Sequence, residues 1–327
     1  MTSAGAESLH FYDPHMSKRT QIEHQIHLLQ QQIRKLQTEC NALLPISTLP
    51  NEILSYIFLL CRGHDSFSKI NMLALLCLTW TCQHWRTVAL SDASLWAYIG
   101  DENLRWVREC LRRSKEVPLE GVLRIGPSSP LSDGTLVSSL MYRFRRLHVC
   151  TWSGSRGDLL MQPAPLLESL TLDGVTIQAP LFSGISPLLH TVCLCRCSVT
   201  LWTCNTLPFA YLNRLTLISC VGIPVDTLVQ SFRPTLPNLE SLVLDSSLAR
   251  SPAIITPLSP RLYFPKLKEL RIWSSDASPV ADFFESCSFV PSTTVNVAVC
   301  GADGETHQQS DRGYVGVYSH TSPIPRS

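Results

Sequence analysis

Six times in its second half the chain repeats one pattern, an apolar residue, another three on, and a third two beyond that. The units are Phe144-x-x-Leu147-x-Val149, Leu167-x-x-Leu170-x-Leu172, Leu189-x-x-Val192-x-Leu194, Leu212-x-x-Leu215-x-Leu217, Leu239-x-x-Leu242-x-Leu244 and Leu267-x-x-Leu270-x-Ile272. Their central residues are 23, 22, 23, 27 and 28 positions apart. Four units also place a proline two residues ahead of the first apolar position, at Pro165, Pro187, Pro237 and Pro265. Side chains alternate along a strand, so Leu170 and Leu172 and their counterparts share one face. A unit this short cannot bury that face alone; it must stack on the next. The period therefore predicts short parallel strands, one per unit.

A period in the twenties with this pattern is the signature of leucine-rich repeats. It predicts an α/β solenoid over residues 143–299, with Val295 to Val299 as a plausible last strand. Cys197 and Cys220 fall where the pattern takes Asn or Cys, at the turn leaving the strand. Cys193 and Cys195 point to one face and Leu194 to the other, and no paired C-x-x-C or histidine supports zinc there. The outward positions would line a concave surface of both charges and apolar groups, suited to protein recognition. Arg146, His148, Asp173, Arg214, Asp245, Glu269, Arg271 and Trp273 are its candidate substrate contacts. Arg271 and Trp273 are the types that most often anchor an interface.

A different pattern occupies Pro45 to Ile99. Ile53, Ile57 and Leu60 fall on one helical stripe with Leu54 and Phe58 beside it, so the apolar surface exceeds one face. Pro50 suits a first helical position and Glu52 complements the macrodipole. Further on come Cys82-Gln83-His84-Trp85-Arg86-Thr87-Val88-Ala89 and Ser94-Leu95-Trp96. Together these resemble the F-box of fungal (basidiomycete-type) F-box-like proteins. That pattern runs Leu-Pro-x-Glu-Ile-Leu-x-x-Ile-Phe, then Val-Cys-x-x-Trp-Arg-x-x-Ala and Ser-Leu-Trp. Thr81 departs from it, standing where Val is preferred. The resemblance implies a small helical module that docks on the small adaptor subunit of a cullin-based (SCF-type) ubiquitin ligase. Leu49, Pro50, Ile53, Leu54, Ile57 and Trp85 match the motif and are the candidate docking residues.

Ahead of that segment Ile22, Ile26, Leu29, Ile33, Leu36, Cys40 and Leu43 alternate steps of four and three, a heptad seam with polar residues between. Two readings stand open: a coiled coil with a second copy or a partner, or a helix packing back on its own chain. Pro45 ends this helix. His24 and His27 lie on its polar side and do not argue for a metal site. Asn103 to Lys115 alternates Leu104, Val107 and Leu111 with arginines whose charge nearby acids neutralise, so it reads as a solvated helix. Pro118 breaks it, Leu119 to Ile125 reads as a strand, and Gly126 to Gly134 as a loop.

With 16% charged residues, 45% apolar ones and a net charge of +1, the 327-residue chain is neither a disordered regulator nor a phosphate-neutralising nucleic-acid binder. Met72 to Leu78, the longest apolar stretch, is too short to span a bilayer. Glu7, His10 and Asp13 interrupt any signal-peptide-like run. An odd count of 13 cysteines without an N-x-Ser/Thr site suggests reduced thiols and an intracellular protein, cytoplasmic or nuclear. No phosphate-binding, zinc-protease, nucleophile-elbow or dinucleotide motif is present, and no cofactor is expected.

The expected organisation is a flexible 1–18, a heptad helix over 19–44 and an F-box-like domain over 45–100. A connecting helix, strand and loop (101–142), the repeats (143–299) and a mobile tail (300–327) follow. The expected function is a non-catalytic substrate adaptor for ubiquitination, with an unidentified protein substrate. The competing reading is a repeat scaffold without ligase function, whose F-box-like helices cap the solenoid.

Overall fold

The computed structural model describes residues 14–62, 70–100, 103–126, 135–151, 160–177, 180–199, 211–232, 237–250, 261–300 and 306–308. The chain divides into two compact units, Met1–Leu95 and Trp96–Ser327.

The first unit is helical. Helix α1 (Pro14–Ala42) ends before Leu44, which is extended at φ −72°, ψ 139°. A residue preceding proline is driven out of the helical region, so Pro45 stops the helix before its own position. Helices α2 (Asn51–Arg62), α3 (Ile70–Thr81) and α4 (Gln83–Ser91) pack on one another. Pro50 lies one residue before α2, its carbonyl accepting from the Leu54 N–H at 3.1 Å. Cys82 caps α4, its Sγ accepting from the Trp85 N–H at 3.5 Å. Leu54 and Phe58 of α2, Leu75 and Leu78 of α3, and Val88 and Ala89 of α4 form the core. The seam of α1 is not in it. Ile22, Ile26, Leu29, Ile33 and Leu36 are each 48–62% exposed. Within this unit, the seam of the helix does not pack on the three module helices.

The second unit is a mixed α/β region around a ten-stranded sheet whose strands follow chain order. They are β1 (Tyr98–Ile99), β2 (Leu119–Ile125), β3 (Phe144–Thr151), β4 (Ser169–Asp173) and β5 (Thr191–Cys195). There follow β6 (Arg214–Ile218), β7 (Ser241–Asp245), β8 (Glu269–Ser274), β9 (Thr294–Cys300) and β10 (Thr306–Gln308). The first nine are parallel; β10 joins β9 antiparallel. The sheet thus starts at Tyr98, ahead of the repeats. Part of the stretch expected as a mobile tail is strand β10, and the rest lies outside the described residues, as do residues 1–13 and most of the loop after Gly126.

Register is the same from strand to strand: Leu147, Leu170, Val192, Leu215, Leu242 and Leu270 are mutual neighbours across the ladders. All are buried, as are Val149, Leu172, Leu194, Leu217, Leu244 and Ile272, and so are the leading residues Phe144, Leu167, Leu189, Leu212, Leu239 and Leu267. Each such side chain removed from water contributes about 1.5–3 kcal/mol. Ordering this much backbone costs a comparable sum, so the stack holds only when every unit is filled.

One feature of the turns escapes the apolar pattern. Gly174, Arg196, Ser219 and Ser246, each one residue past its strand, have φ between 48° and 70°. Their N–H groups donate to Cys195, Ile218, Asp245 and Trp273 carbonyls at 2.7–2.9 Å. A Cβ on Gly174 would come within 2.6 Å of the Thr151 carbonyl oxygen, so the first of these turns requires glycine. Just beyond, the buried Cys197 and Cys220 thiols donate to the Leu172 and Leu194 carbonyls at 3.4 and 3.3 Å. Ser247 holds the equivalent place in the next turn, accepting from the Cys220 N–H at 3.1 Å and donating to the Asp245 carbonyl.

Candidate functional site

Helix α2 divides its apolar residues between two tasks. Leu54 and Phe58 have 0% exposure, and the Phe58 ring lies 5.0 Å from that of Trp85. At α2's end Arg62 is buried and donates to the carbonyls of Ser94 and Leu95, both at 3.2 Å. Asp92 accepts from the N–H and hydroxyl of Ser94 at 2.9 and 2.7 Å. This explains why Ser94-Leu95 follows the helices at a fixed place: the segment closes the base of α2. Trp96, in the second unit, lies 5.6 Å from Trp106, tilted by 46°, with the Arg113 guanidinium 4.8 Å over its ring.

What this core leaves out is the stripe. Ile53 is 48% and Leu60 53% exposed, Pro50 is exposed, and Leu49 and Ile57 are half-buried. Leu54 must be withdrawn from the candidate docking residues: one position on from Ile53 turns its side chain 100° into the core. Trp85 is half-buried and serves chiefly as a wall for Phe58. Sequence reasoning passed over Tyr56, Leu73 and Trp80, all more than half exposed, with Trp80 at 72%. Leu73 and Trp80 stand seven apart on α3, a spacing that places them on one face and was legible.

The candidate recognition residues of the second unit lie on the outward face of the sheet in three rows. Arg146, Arg214 and Glu269 share one row, His148 and Arg271 the next, and Asp173, Asp245 and Trp273 the third. All eight are exposed or half-exposed. Charges pair across strands: Arg146 with Glu120 at 3.5 Å, Arg145 with Glu168 at 2.9 Å, and Lys268 with Glu240 at 2.9 Å. Lys268 thereby holds the Glu240 carboxyl below its ordinary range. Arg271 Nε donates to Glu269 at 2.7 Å, and the Ser241 hydroxyl reaches the same carboxylate at 3.2 Å.

At the centre of that face sit thiols. Cys150 Sγ lies 3.1 Å from His148 Nε2, and Cys193 Sγ 3.6 Å from Cys195 Sγ. Burial holds the His148 imidazolium below its usual range and pushes the Cys150 thiol up to about 11. The hydrogen bond shared by Cys193 and Cys195 raises the former and lowers the latter. Among the described residues no group of three or more histidines, cysteines or carboxylates is placed to hold a metal ion. None of the described helices is long and apolar enough to cross a membrane.

With this geometry in place, residues 46–100 match the model of the F-box-like family. The chain therefore carries an F-box-like domain, a class that generally serves as a non-catalytic adaptor binding the small adaptor subunit of ubiquitin ligases. No curated protein and no solved structure matches the chain.

Proposed function

We propose that this protein is a substrate-recognition adaptor of a cullin-based ubiquitin ligase. The observation that carries the reading is the stripe on α2. The F-box-like module fills its core with Leu54 and Phe58 and still presents Pro50, Ile53 and Leu60 to water. Exposed apolar residues grouped on one helix face suit a partner's groove. Leu49, Pro50, Ile53, Ile57 and the half-buried Trp85 are the docking residues, with the cullin ligase's small adaptor subunit as occupant.

The second unit is read as a leucine-rich-repeat solenoid. In-register parallel strands, left-handed turns after them, and buried Cys197, Cys220 and Ser247 at the turn position all support that reading. Its outward rows, with Arg271 and Trp273 near one end, bind the protein substrate. No acid–base or nucleophilic chemistry is asked of them. Holding the substrate beside the conjugating enzyme raises its effective concentration there, and that is the whole mechanism.

Co-purification of the full chain with the ligase's small adaptor subunit tests the proposal. Binding is expected, and is expected to be lost in Leu49→Ala, Pro50→Ala with the unfolding transition unchanged. Equal binding by the variant overturns these docking residues. A wild-type chain that captures no ligase component overturns the adaptor role and leaves an interaction protein.

A further inference from the structure

The heptad seam of α1 is bare within its own unit, and three observations say what covers it. First, the core residues are of the kind that select two parallel strands. With Ile22 at a d position, Ile26 and Ile33 fall at a and Leu29 and Leu36 at d. β-Branched residues at a with leucine at d favour a parallel pair over higher orders. Second, the flanks are self-complementary. In a parallel pair a g residue meets the e residue five positions on in the other helix. Lys18 then meets Glu23, while Gln25 meets Gln30 and Gln32 meets Gln37, so one pair attracts and none repels. Glu23 is exposed and holds Arg19 at 2.8 Å in the single chain.

Third, the back of α1 is already taken. Thr38, Asn41 and Ala42, at the outer f, b and c positions, line a cleft of about 220 Å³ with Ser47, Cys82 and His84 of the F-box-like module. The module thus meets the polar back of the helix, while Leu36 and Cys40 remain exposed on the other side.

We infer that α1 pairs with α1 of a second copy as a parallel, in-register coiled coil from Ile22 to Cys40. A two-fold axis along the seam makes the contact isologous and closes the assembly at two copies. Each pair carries two docking modules and two recognition faces, so multivalent partners gain avidity. Pairing does not depend on what the module binds.

Cys40 reports the geometry. At an a position of a parallel pair it faces itself across the axis, whereas an antiparallel pair over the same seam separates the two thiols by roughly 27 Å. Sedimentation equilibrium of the full chain is expected to give twice 36.5 kDa. Ile26→Asn, Ile33→Asn should return it to the single mass with the unfolding transition of the rest unchanged, since both side chains are exposed in the single chain. A short bismaleimide should join wild-type chains into a covalent dimer, and the Cys40→Ser chain should lose that product. A single-chain mass up to about a hundred micromolar overturns the inference, because a weaker pair would have no standing. So does a dimer that survives both asparagines. A dimer that Cys40 does not cross-link overturns the parallel register.

Discussion

The two units treat apolar surface in opposite ways. In the sheet, every inward position of the six repeats is buried. In the helical unit, Ile53, Leu60, Leu73 and Trp80 are about half exposed or more, and the α1 seam is bare along its length. A stack of like units buries one unit's face against the next and needs nothing from outside until its ends. Three short helices enclose too little volume for that, and the apolar residues left over are the ones a partner can use. The sheet is self-sufficient in burying its apolar face, and the helical unit is not.

Single substitutions break that contrast cleanly. The largest loss is expected at the core of the module: Phe58→Ala should cost about 3–5 kcal/mol of stability, removing the ring that packs on Trp85. Leu215→Ala, in the middle strand of the repeats, should cost about 2–5 kcal/mol. Urea unfolding midpoints measure both, and a cost under about 1 kcal/mol at either would contradict its place in a filled core.

The comparison sharpens on neighbouring residues. Leu54→Ala should cost about 2–5 kcal/mol, whereas Ile53→Ala should stay within about 0.5 kcal/mol while weakening adaptor capture. If the two behave alike, the division of labour on α2 is wrong.

On the sheet's outward face the expected effect is smaller and depends on pH. Burial depresses the His148 pKa in the folded state; Asp173 opposes that shift, and Arg124 and the adjoining Cys150 are its other neighbours. Below about pH 6.5 the unfolded chain therefore takes up the proton first, and stability falls as pH drops. Above that value the contribution is level. The loss between about pH 7.5 and pH 5.5 should be smaller in His148→Gln than in the wild type, measured by denaturation at each pH. An identical loss would show that His148 does not contribute.

A small effect is also expected on α5 (Leu104–Ser114). Glu109 pairs with Arg112 at 2.8 Å and with Arg113, and its pKa falls to about 2, with Arg112 the largest cause. A depressed carboxyl stabilises above its unfolded value and loses that contribution as pH falls toward the folded one. The pair is solvent-facing, so Glu109→Gln should cost no more than about 1 kcal/mol, and less in high salt. Thermal unfolding at low and high ionic strength is the check.

Much of the sheet was legible because a strand repeats every two residues and a short strand has only two faces. Leu170, Leu172 and their counterparts could point inward or outward together, and burial chose inward. Strands β1 and β2 carry no full repeat pattern, and the pairing of β2 with β3 and of β1 with β2 is made by backbone groups that any residue carries. The left-handed turns at Arg196, Ser219 and Ser246 lack the glycine that marks such a conformation, so only the ladder that fixes them shows them. On α2 apolar residues cover more than one face, and the sequence does not say which flank is inside. The motif that makes Leu54 a docking candidate marks apolar positions without separating core from surface, and Leu54 is core.

By itself, the sequence determined the period of the second half, the residues that face inward, the seam of α1 and the two segments that make the F-box-like module. All are local spacings, and spacing is what side-chain direction obeys. The tertiary structure alone decided that Leu54 is core while Ile53 is surface, that the sheet extends to Tyr98, and that the α1 seam finds no cover in its own unit. Each depends on which surfaces meet, and that is settled by packing between segments far apart in the chain.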